Sequence, residues 1–261
     1  MLQYRHNIAR CCSLLALAIA CGLASAGSQA AEQVKLHAAF RPDRLGASTA
    51  IEFGFEIHNT AAPLPPALTR VDLHLPSGMD QNASELGLAI CQPGPLLALG
   101  PIACPRNSFL GYGTAHVAAQ FGEDIVPETA ELDIFAGPPK SEQEVLYFAD
   151  GRTPISQEEI FPGQLVEEFG GFSGDLVTDV PLTGTVPGGG YVSTTRFESI
   201  IGPGGVTYER RVHGRLIPFH PQGVLVPTKC PSGGFPFLLE LKFVDGTSAS
   251  GRTSVPCPRK R

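Results

Sequence analysis

The chain has 261 residues with 19 basic and 25 acidic side chains, which gives a formal net charge of −6 at pH 7. This acidic balance argues against nucleic acid and anionic membranes as partners, because both are bound through basic surfaces. Thirty glycines and 24 prolines, spread along the whole chain, predict many turns and few long helices.

Residues 1–31 have the features of a secretory signal peptide. Two arginines precede the short apolar run CCSLLALAIACGLASA, which ends in small residues suited to signal peptidase. We expect the mature chain to begin between Gly27 and Glu32 and to be secreted. Residues 18–21 (AIAC) resemble a lipobox, so lipid anchoring at the cell surface through Cys21 is the alternative. No later segment supplies about 20 consecutive apolar residues, and no transmembrane segment is expected after the signal peptide.

Processing at this site leaves 17 basic and 25 acidic residues, a net charge of −8, and four of the seven cysteines. An even number of cysteines in an exported chain indicates disulfides. Of the three possible pairings we favour Cys91–Cys104 and Cys230–Cys257, which join neighbours in the sequence. Zinc is the weaker alternative, because the mature chain has no CxxC pair and no histidine at ligand spacing. We therefore expect no metal and no other cofactor.

The first strands are predicted by strict alternation of apolar and polar residues. Residues 50–59 and 69–76 both have this pattern, which is typical of antiparallel strands with one buried face. In the second of them Asp72 and His74 are expected to face solvent. His58 is expected on the polar face of the first strand, and pairing of the two strands would bring the two histidines together as a surface metal site. We favour ordinary exposed histidines.

Residues 79–105 are predicted to be long and irregular, with a short helical turn around residues 83–88. A disulfide within this segment would close a loop of about 14 residues and contribute about 3 kcal/mol in the chain-entropy model. Ser108 follows it and lacks the G-x-S-x-G context of a nucleophile, so we interpret it as a turn residue. Gly111 and Gly113 indicate positive φ or a close backbone approach.

Further strands are predicted at 113–120, 129–137, 144–150, 175–184, 191–201 and 206–216. Within the last of these, Arg211, His213 and Arg215 are expected to share a solvated face. Residues 156–169 form the most helix-tolerant stretch, although Pro162 and Gly163 interrupt it.

The C-terminal part of the chain predicts a β-hairpin. Residues 236–244 and 247–255 flank an Asp-Gly dipeptide, the preferred pair for a two-residue type I′ turn. This register places Val244 opposite Thr247 and the open end of the hairpin beside the second disulfide.

About ten short strands with turn residues between them predict an all-β, antiparallel fold of the β-sandwich or jelly-roll-like kind, stabilised by disulfides. A boundary near residues 137–141 would divide the mature chain into an N-terminal β region, 32–139, and a C-terminal β region, 140–261. One large sandwich and two small packed sandwiches both remain open, so the two regions can also form a single domain.

The pattern CPxxSxxGxGxA at residues 104–115 resembles secreted, Cys-Pro-containing, β-rich proteins of high-GC actinobacteria. The segments LPPALTRVDLHLPSGM and FVDGTSASGRTSVPCP are similar to the same group, and the likeness covers about half of the mature chain. It implies a bacterial exported protein. It implies no activity, cofactor or site residue.

The favoured function is that of an exported, non-catalytic β-domain, a binding or structural module of the cell surface, the envelope or the extracellular space. Its partner would be another surface or extracellular molecule, and we assign no catalytic, cofactor-binding or metal-binding residue. The alternative is a secreted, carboxylate-dependent, glycosidase-like hydrolase using acids in 156–179, where the candidates are Glu158, Glu159, Glu167 and Glu168. Such chemistry needs two carboxyl groups about 5–9.5 Å apart, and adjacent acids on a strand point away from each other.

Overall fold

The computed structural model describes residues 32–79, 86–139, 143–152, 156–186, 189–202 and 206–258. The predicted signal peptide and the lipobox cysteine lie outside these residues. Strands make up 59% of the described residues and helices 6%. The prediction of an all-β, antiparallel fold with few helices is therefore confirmed. None of the helices in the described ranges is long and apolar enough to cross a membrane.

The described ranges contain one α-helix and fourteen strands. The helix α1 is Pro93–Leu99, and two short 3₁₀ turns follow it at Pro101–Ala103 and Arg106–Ser108. The strands are β1 Glu32–Arg41, β2 Ser48–Asn59, β3 Leu68–Pro76, β4 Phe109–Phe121, β5 Asp124–Ala136, β6 Gln143–Gly151, β7 Gln157–Glu167, β8 Phe172–Asp179, β9 Ser193–Ile201, β10 Tyr208–Val212, β11 Arg215–Phe219, β12 Val224–Leu225, β13 Phe235–Phe243 and β14 Ser248–Val255.

Twelve of these strands form one antiparallel sheet. Its order is β1-β2-β9-β4-β5-β6-β7-β8-β3-β13-β14, with β12 added to the start of β2, while β10 and β11 form a separate hairpin. The sheet curves until its two ends lie side by side, so that Gly251 of β14 packs against Val34 of β1. The sheet is therefore nearly closed. Strands from both sides of residue 140 alternate in it, since β9 lies between β2 and β4, and β3 lies between β8 and β13.

The main core fills the concave side of this sheet. Period-two alternation explains it, because every second side chain of a strand faces inward. The apolar residues at alternate positions of β2 and β13 are all buried: Ile51, Phe53, Phe55, Ile57, Phe237, Leu239, Leu241 and Phe243. Each such side chain contributes about 1.5–3 kcal/mol when it leaves water.

The β10–β11 hairpin closes one end of this core through Tyr208. The tyrosine is fully buried, and its hydroxyl accepts a hydrogen bond from the Gly87 N–H at 2.8 Å and donates one to the Phe109 carbonyl at 3.1 Å. The prediction of a single strand over residues 206–216 is wrong, because two strands, β10 and β11, form a hairpin there. His213 and Gly214 form a two-residue turn with φ of 47° and 81°, the paired positive values of a type I′ turn. His213 is therefore a turn residue, outside the strand face assigned to Arg211 and Arg215.

A smaller core lies on the convex side, beneath α1. Leu96 of the helix is fully buried against Phe135, Leu146 and Phe148 of β5 and β6. The prediction of an irregular segment here missed this helix, because seven residues are too few to form a stable helix without tertiary contacts. Of the predicted turn around 83–88, residues 83–85 lie outside the described ranges.

Both predicted disulfides, Cys91–Cys104 and Cys230–Cys257, are present. The register predicted for the C-terminal hairpin is wrong by one residue. Phe243, not Val244, lies opposite Thr247, and its N–H donates to the Thr247 carbonyl at 3.0 Å. The loop thus has three residues and ends in Gly246 with φ of 84°, the arrangement of a type I turn followed by a G1 bulge. Asp245 stabilises it by accepting hydrogen bonds from the N–H and hydroxyl of Thr247 at 2.9 and 2.7 Å.

The helix tolerance assigned to residues 156–169 is also corrected, because most of this stretch forms β7. This strand pairs with β6 on one side and β8 on the other, so ladder hydrogen bonds outweigh the local preference. Strand β1, which was not predicted, pairs with β2 along its whole length.

Candidate functional site

A cavity of about 160 Å³ lies inside the curved sheet, beside the main core. Eight strands, β2 to β9, contribute to its wall. The apolar part of that wall consists of Phe53, Phe55, Leu68, Val71, Leu73, Ala115, Val117, Ala130, Leu132, Tyr147, Ala149, Phe161, Leu176, Val180, Val192 and Phe197. Several of these side chains are only half-buried, among them Ala115, Phe161 and Phe197. The cavity is therefore an apolar pocket open to solvent.

Small inward-facing residues on neighbouring strands create this space. Ala115 of β4 lies opposite Ala130 of β5, which in turn lies opposite Gly151 of β6. Ala149 faces inward two residues before Gly151. The side chains in this row are methyl groups, and Gly151 has only a hydrogen. They are too short to reach across the interior of the sheet, so the volume of the pocket remains unfilled. An engineered apolar cavity of about 150 Å³ in another protein binds benzene, so this volume is enough for a ring or a short alkyl segment.

Aromatic rings flank this row of small residues within the same sheet, because Phe197 of β9 lies opposite Ala115 across the β4–β9 ladder. Phe55 stacks on Phe197 with centroids 5.4 Å apart, and Tyr147 stacks on Phe161 at 5.1 Å. Burial raises the pKa of Tyr147 to about 12, against the opposing effect of its hydrogen bond with Thr178. Tyr147 is therefore a neutral wall residue at physiological pH.

The polar part of the pocket is concentrated at its mouth, where Glu128, Gln157, Glu159 and Thr183 meet. The Glu159 Oε1 accepts hydrogen bonds from Gln157 Nε2 and Thr183 Oγ1, both at 2.6 Å. The Glu128 Oε1 is buried and has no hydrogen-bond partner among the described residues. It lies over Gly151, where an added Cβ would be 2.6 Å from this oxygen. The mouth thus carries two carboxylates above an apolar interior.

A second cavity of about 90 Å³ continues the interior toward β12. It shares Phe53, Leu73 and Leu176 with the first, and the rest of its wall is apolar. The two cavities are therefore neighbours in the same apolar interior.

The four glutamates of the hydrolase hypothesis do not converge. Glu159 lines the pocket, whereas Glu158 is exposed on the opposite face of β7. Glu167 is also exposed, and Glu168 pairs with His74 at 2.8 Å on the convex side. Glu128, which the sequence analysis did not single out, is the acid that shares the pocket with Glu159. The sequence pattern that could have indicated this pocket is the set of small residues that lines it on β4, β5 and β6.

A cluster of charged groups occupies the convex face around β3 and β8. Asp72 was predicted to face solvent, but it is only 6% exposed. The reason is Arg70, whose Nε donates to both carboxylate oxygens of Asp72 at 2.8 and 2.9 Å and covers them. His58 is not part of this cluster, because β2 and β3 are not neighbours in the sheet. Within the described ranges no group of three His, Cys, Asp or Glu side chains is placed to hold a metal ion.

Two groups of this cluster, Asp175 and His74, have pKa shifts that affect their charge near neutral pH. Burial raises the pKa of Asp175 to about 6, and its Oδ1 has no hydrogen-bond partner among the described residues. Burial by itself would lower the pKa of His74, but the hydrogen bond with Glu168 and the surrounding carboxylates raise it above its usual value. Both groups bind protons more strongly in the folded state than in the unfolded state.

These two groups therefore contribute less to stability as the pH rises. The contribution of Asp175 is fully present below pH 4 and is lost through about pH 6, and that of His74 is lost at pH values above 6.5. Asp175→Asn should raise the free energy of unfolding by about 1–2 kcal/mol at pH 8, after allowance for solvent screening, and leave it nearly unchanged at pH 4. Urea unfolding at both pH values measures this. Asp179→Asn on the same strand, where the side chain is exposed, is the control. An Asp175→Asn protein that is less stable at pH 8 would contradict the prediction.

The residues of the CPxxSxxGxGxA pattern form a structural corner. Ser108 is fully buried, and its Oγ donates to the Pro105 carbonyl at 2.6 Å. Gly111 and Gly113 both approach the β9 backbone closely, which was one of the two conformations expected of them. A Cβ added to Gly111 would lie 2.0 Å from the Ile200 oxygen, and one added to Gly113 would lie 2.2 Å from the Glu198 oxygen.

Comparison of the chain with protein-family models, curated proteins and solved structures gives no match in any of the three. Functional inference therefore starts from the pocket itself.

Proposed function

We propose that this is an exported, non-catalytic binding protein of the cell surface, the envelope or the extracellular space, and that its interior pocket holds a small apolar molecule. The observation that carries the proposal is the apolar cavity of about 160 Å³ inside the nearly closed sheet. Ligand sites are typically concave, largely apolar and supplied with a few polar groups that fix orientation. This pocket has that composition.

The energetic argument is that the pocket leaves apolar surface in contact with water. A ligand that covers this surface gains about 25 cal/mol for each Å² removed from solvent. The curved sheet is held by ladders on both sides of every lining strand, so the protein has little ordering cost when a ligand enters. The two disulfides are consistent with export, because such bonds persist in oxidising compartments.

The hydrolase alternative has weaker support. A glycosidase binds a polyhydroxylated substrate and needs many hydrogen-bonding groups around its two carboxyls. The wall of this pocket offers mainly aliphatic and aromatic carbon, and its polar side chains are two glutamates, one glutamine and three threonines. The pocket is better suited to an apolar molecule than to a sugar.

Filling the pocket tests the proposal. Ala130→Phe places a ring in the cavity and should weaken the binding of 1-octanol by at least about tenfold, which corresponds to 1.4 kcal/mol. Isothermal titration calorimetry on the purified, disulfide-bonded protein measures the affinity, and circular dichroism checks that the fold is retained. Thr129→Phe, one residue earlier and exposed on the other face of β5, is the matched control. Binding that survives Ala130→Phe in a folded protein would overturn the proposal, and so would a failure of the unmodified protein to bind 1-octanol or octyl compounds with another head group.

A further inference from the structure

We infer that the pocket selects molecules that carry a positively charged head on an apolar tail, with an alkyl ammonium as the simplest case, and that Glu128 and Glu159 recognise the head. This inference rests on the proposed binding function and names the chemical class of its ligand.

Charge complementarity is the first argument. The mouth holds two carboxylates, and in the described part of the chain neither has a lysine, arginine or histidine as an ion-pair partner. Some other acids of the protein are neutralised locally, as Asp72 is by Arg70 and Glu209 by Arg106. An anionic head would be repelled at this mouth, and a neutral head would leave the negative charge uncompensated.

The second argument is the state of the Glu128 carboxylate. Its Oε1 is buried and has no hydrogen-bond donor among the described residues. Buried polar atoms in folded proteins nearly always have a partner, so an isolated one at the mouth of a pocket calls for a donor from outside. An ammonium group offers three donors and a positive charge, and it satisfies this oxygen without requiring an acceptor in return.

The local backbone makes room for this arrangement. Gly151 ends β6 beneath the Glu128 carboxylate, and any side chain there would collide with it, since a Cβ would lie 2.6 Å from Oε1. Across the β6–β7 ladder, Gln157 lies opposite Gly151 and donates to Glu159. The second donor to Glu159 is Thr183, so this carboxylate is held in place before a ligand arrives. Preorganised groups of this kind increase selectivity, because little freedom is lost on binding.

The apolar tail of the ligand meets apolar walls beyond the carboxylates. The alanines of β4 to β6 line the pocket there, and Phe197, stacked on Phe55, lies beside Ala115 on the neighbouring strand. The second cavity begins at Phe53, where the wall carries almost no polar surface. A molecule with its charge at one end and hydrocarbon at the other matches this order of polar and apolar groups.

Three probes with the same tail test the selection. Octylamine, 1-octanol and octanoate differ only in the head, and their affinities for the purified, disulfide-bonded protein can be compared by isothermal titration calorimetry. We expect octylamine to bind at least about tenfold more tightly than 1-octanol, and octanoate to bind most weakly. Glu128→Gln and Glu159→Gln should each reduce the ratio of octylamine to octanol affinity to about threefold or less.

Glu158→Gln is the control, because it removes the same charge from the same strand on the exposed, opposite face. It should preserve the preference for octylamine. If 1-octanol binds as tightly as octylamine, or if Glu158→Gln reduces the preference as much as Glu128→Gln does, the selection for a cationic head is wrong and the proposed function stands. If none of the three probes binds, the proposed function is wrong and this inference is overturned with it.

Discussion

Replacing both Cys230 and Cys257 by serine is expected to lower the free energy of unfolding by about 3.6 kcal/mol. The bond closes a loop of 28 residues that contains the whole β13–β14 hairpin. Without it the unfolded chain regains the conformational freedom of that loop. Cys257 is exposed and Cys230 is half-buried, so serine at these positions leaves no fully buried hydroxyl to complicate the result. Guanidinium unfolding under non-reducing conditions measures the loss.

The same experiment in dithiothreitol is its control. Reduction removes both disulfides from the unmodified protein and only Cys91–Cys104 from the double variant, so the difference in stability between the two proteins should disappear. A loss below about 1 kcal/mol without reductant would contradict the prediction, since the chain-entropy model requires several times more. It would mean that the ladder from Phe235 to Lys242 and the Ser254 hydrogen bond to Gly233 already hold the open end of the hairpin.

Gly111→Ala is expected to cost about 3 kcal/mol, at the upper end of the usual range for overpacking. A Cβ at this position would lie 2.0 Å from the Ile200 carbonyl oxygen and 3.0 Å from the Ile201 Cα. Both are backbone atoms of β9, which move only if β4 and β9 separate. Because β9 joins β2 to β4 in the sheet, that separation weakens the whole fold. Thermal and urea unfolding of the variant measure the effect.

Gly94→Ala is the matched control for this substitution. A Cβ at Gly94 meets no atom within 4 Å, and the residue lies in α1, where alanine is favoured over glycine by up to about 1 kcal/mol. The variant should be as stable as the unmodified protein or slightly more stable. Equal stability of the two alanine variants would show that β4 and β9 have more room than the structure gives them.

Some features of this fold follow directly from short stretches of sequence. The alternation in β2 and β13 predicted which side chains are buried, because a strand turns every second residue to the same side. Sequence proximity was enough to pair Cys230 with Cys257, since a hairpin brings its two ends together. Gly111 and Gly113 could be recognised as positions that need either positive φ or a close backbone approach, because no other residue lacks a Cβ.

Other features depend on contacts between distant residues. The stretch at 156–169 has no local pattern that favours a strand, and it becomes β7 because β6 and β8 supply hydrogen bonds on both sides. The hairpin register shifted by one residue because Asp245 and Gly246 form a bulged three-residue loop, and the Asp-Gly dipeptide is compatible with both loop lengths. Local energies of such alternatives differ too little to choose between them without the rest of the sheet.

The candidate site depends almost wholly on contacts between residues that are distant in the sequence. Glu128 and Glu159 lie on β5 and β7, separated by β6, and only the order of strands brings their carboxylates to the same mouth. The alanines and Gly151 are visible in the sequence as small residues, yet they form a cavity only where they align across three strands. Composition and alternation are sufficient to predict a disulfide-bonded β protein, because they reflect local chemistry. A pocket is a volume enclosed by many strands, and its shape and charge exist only after those strands have paired.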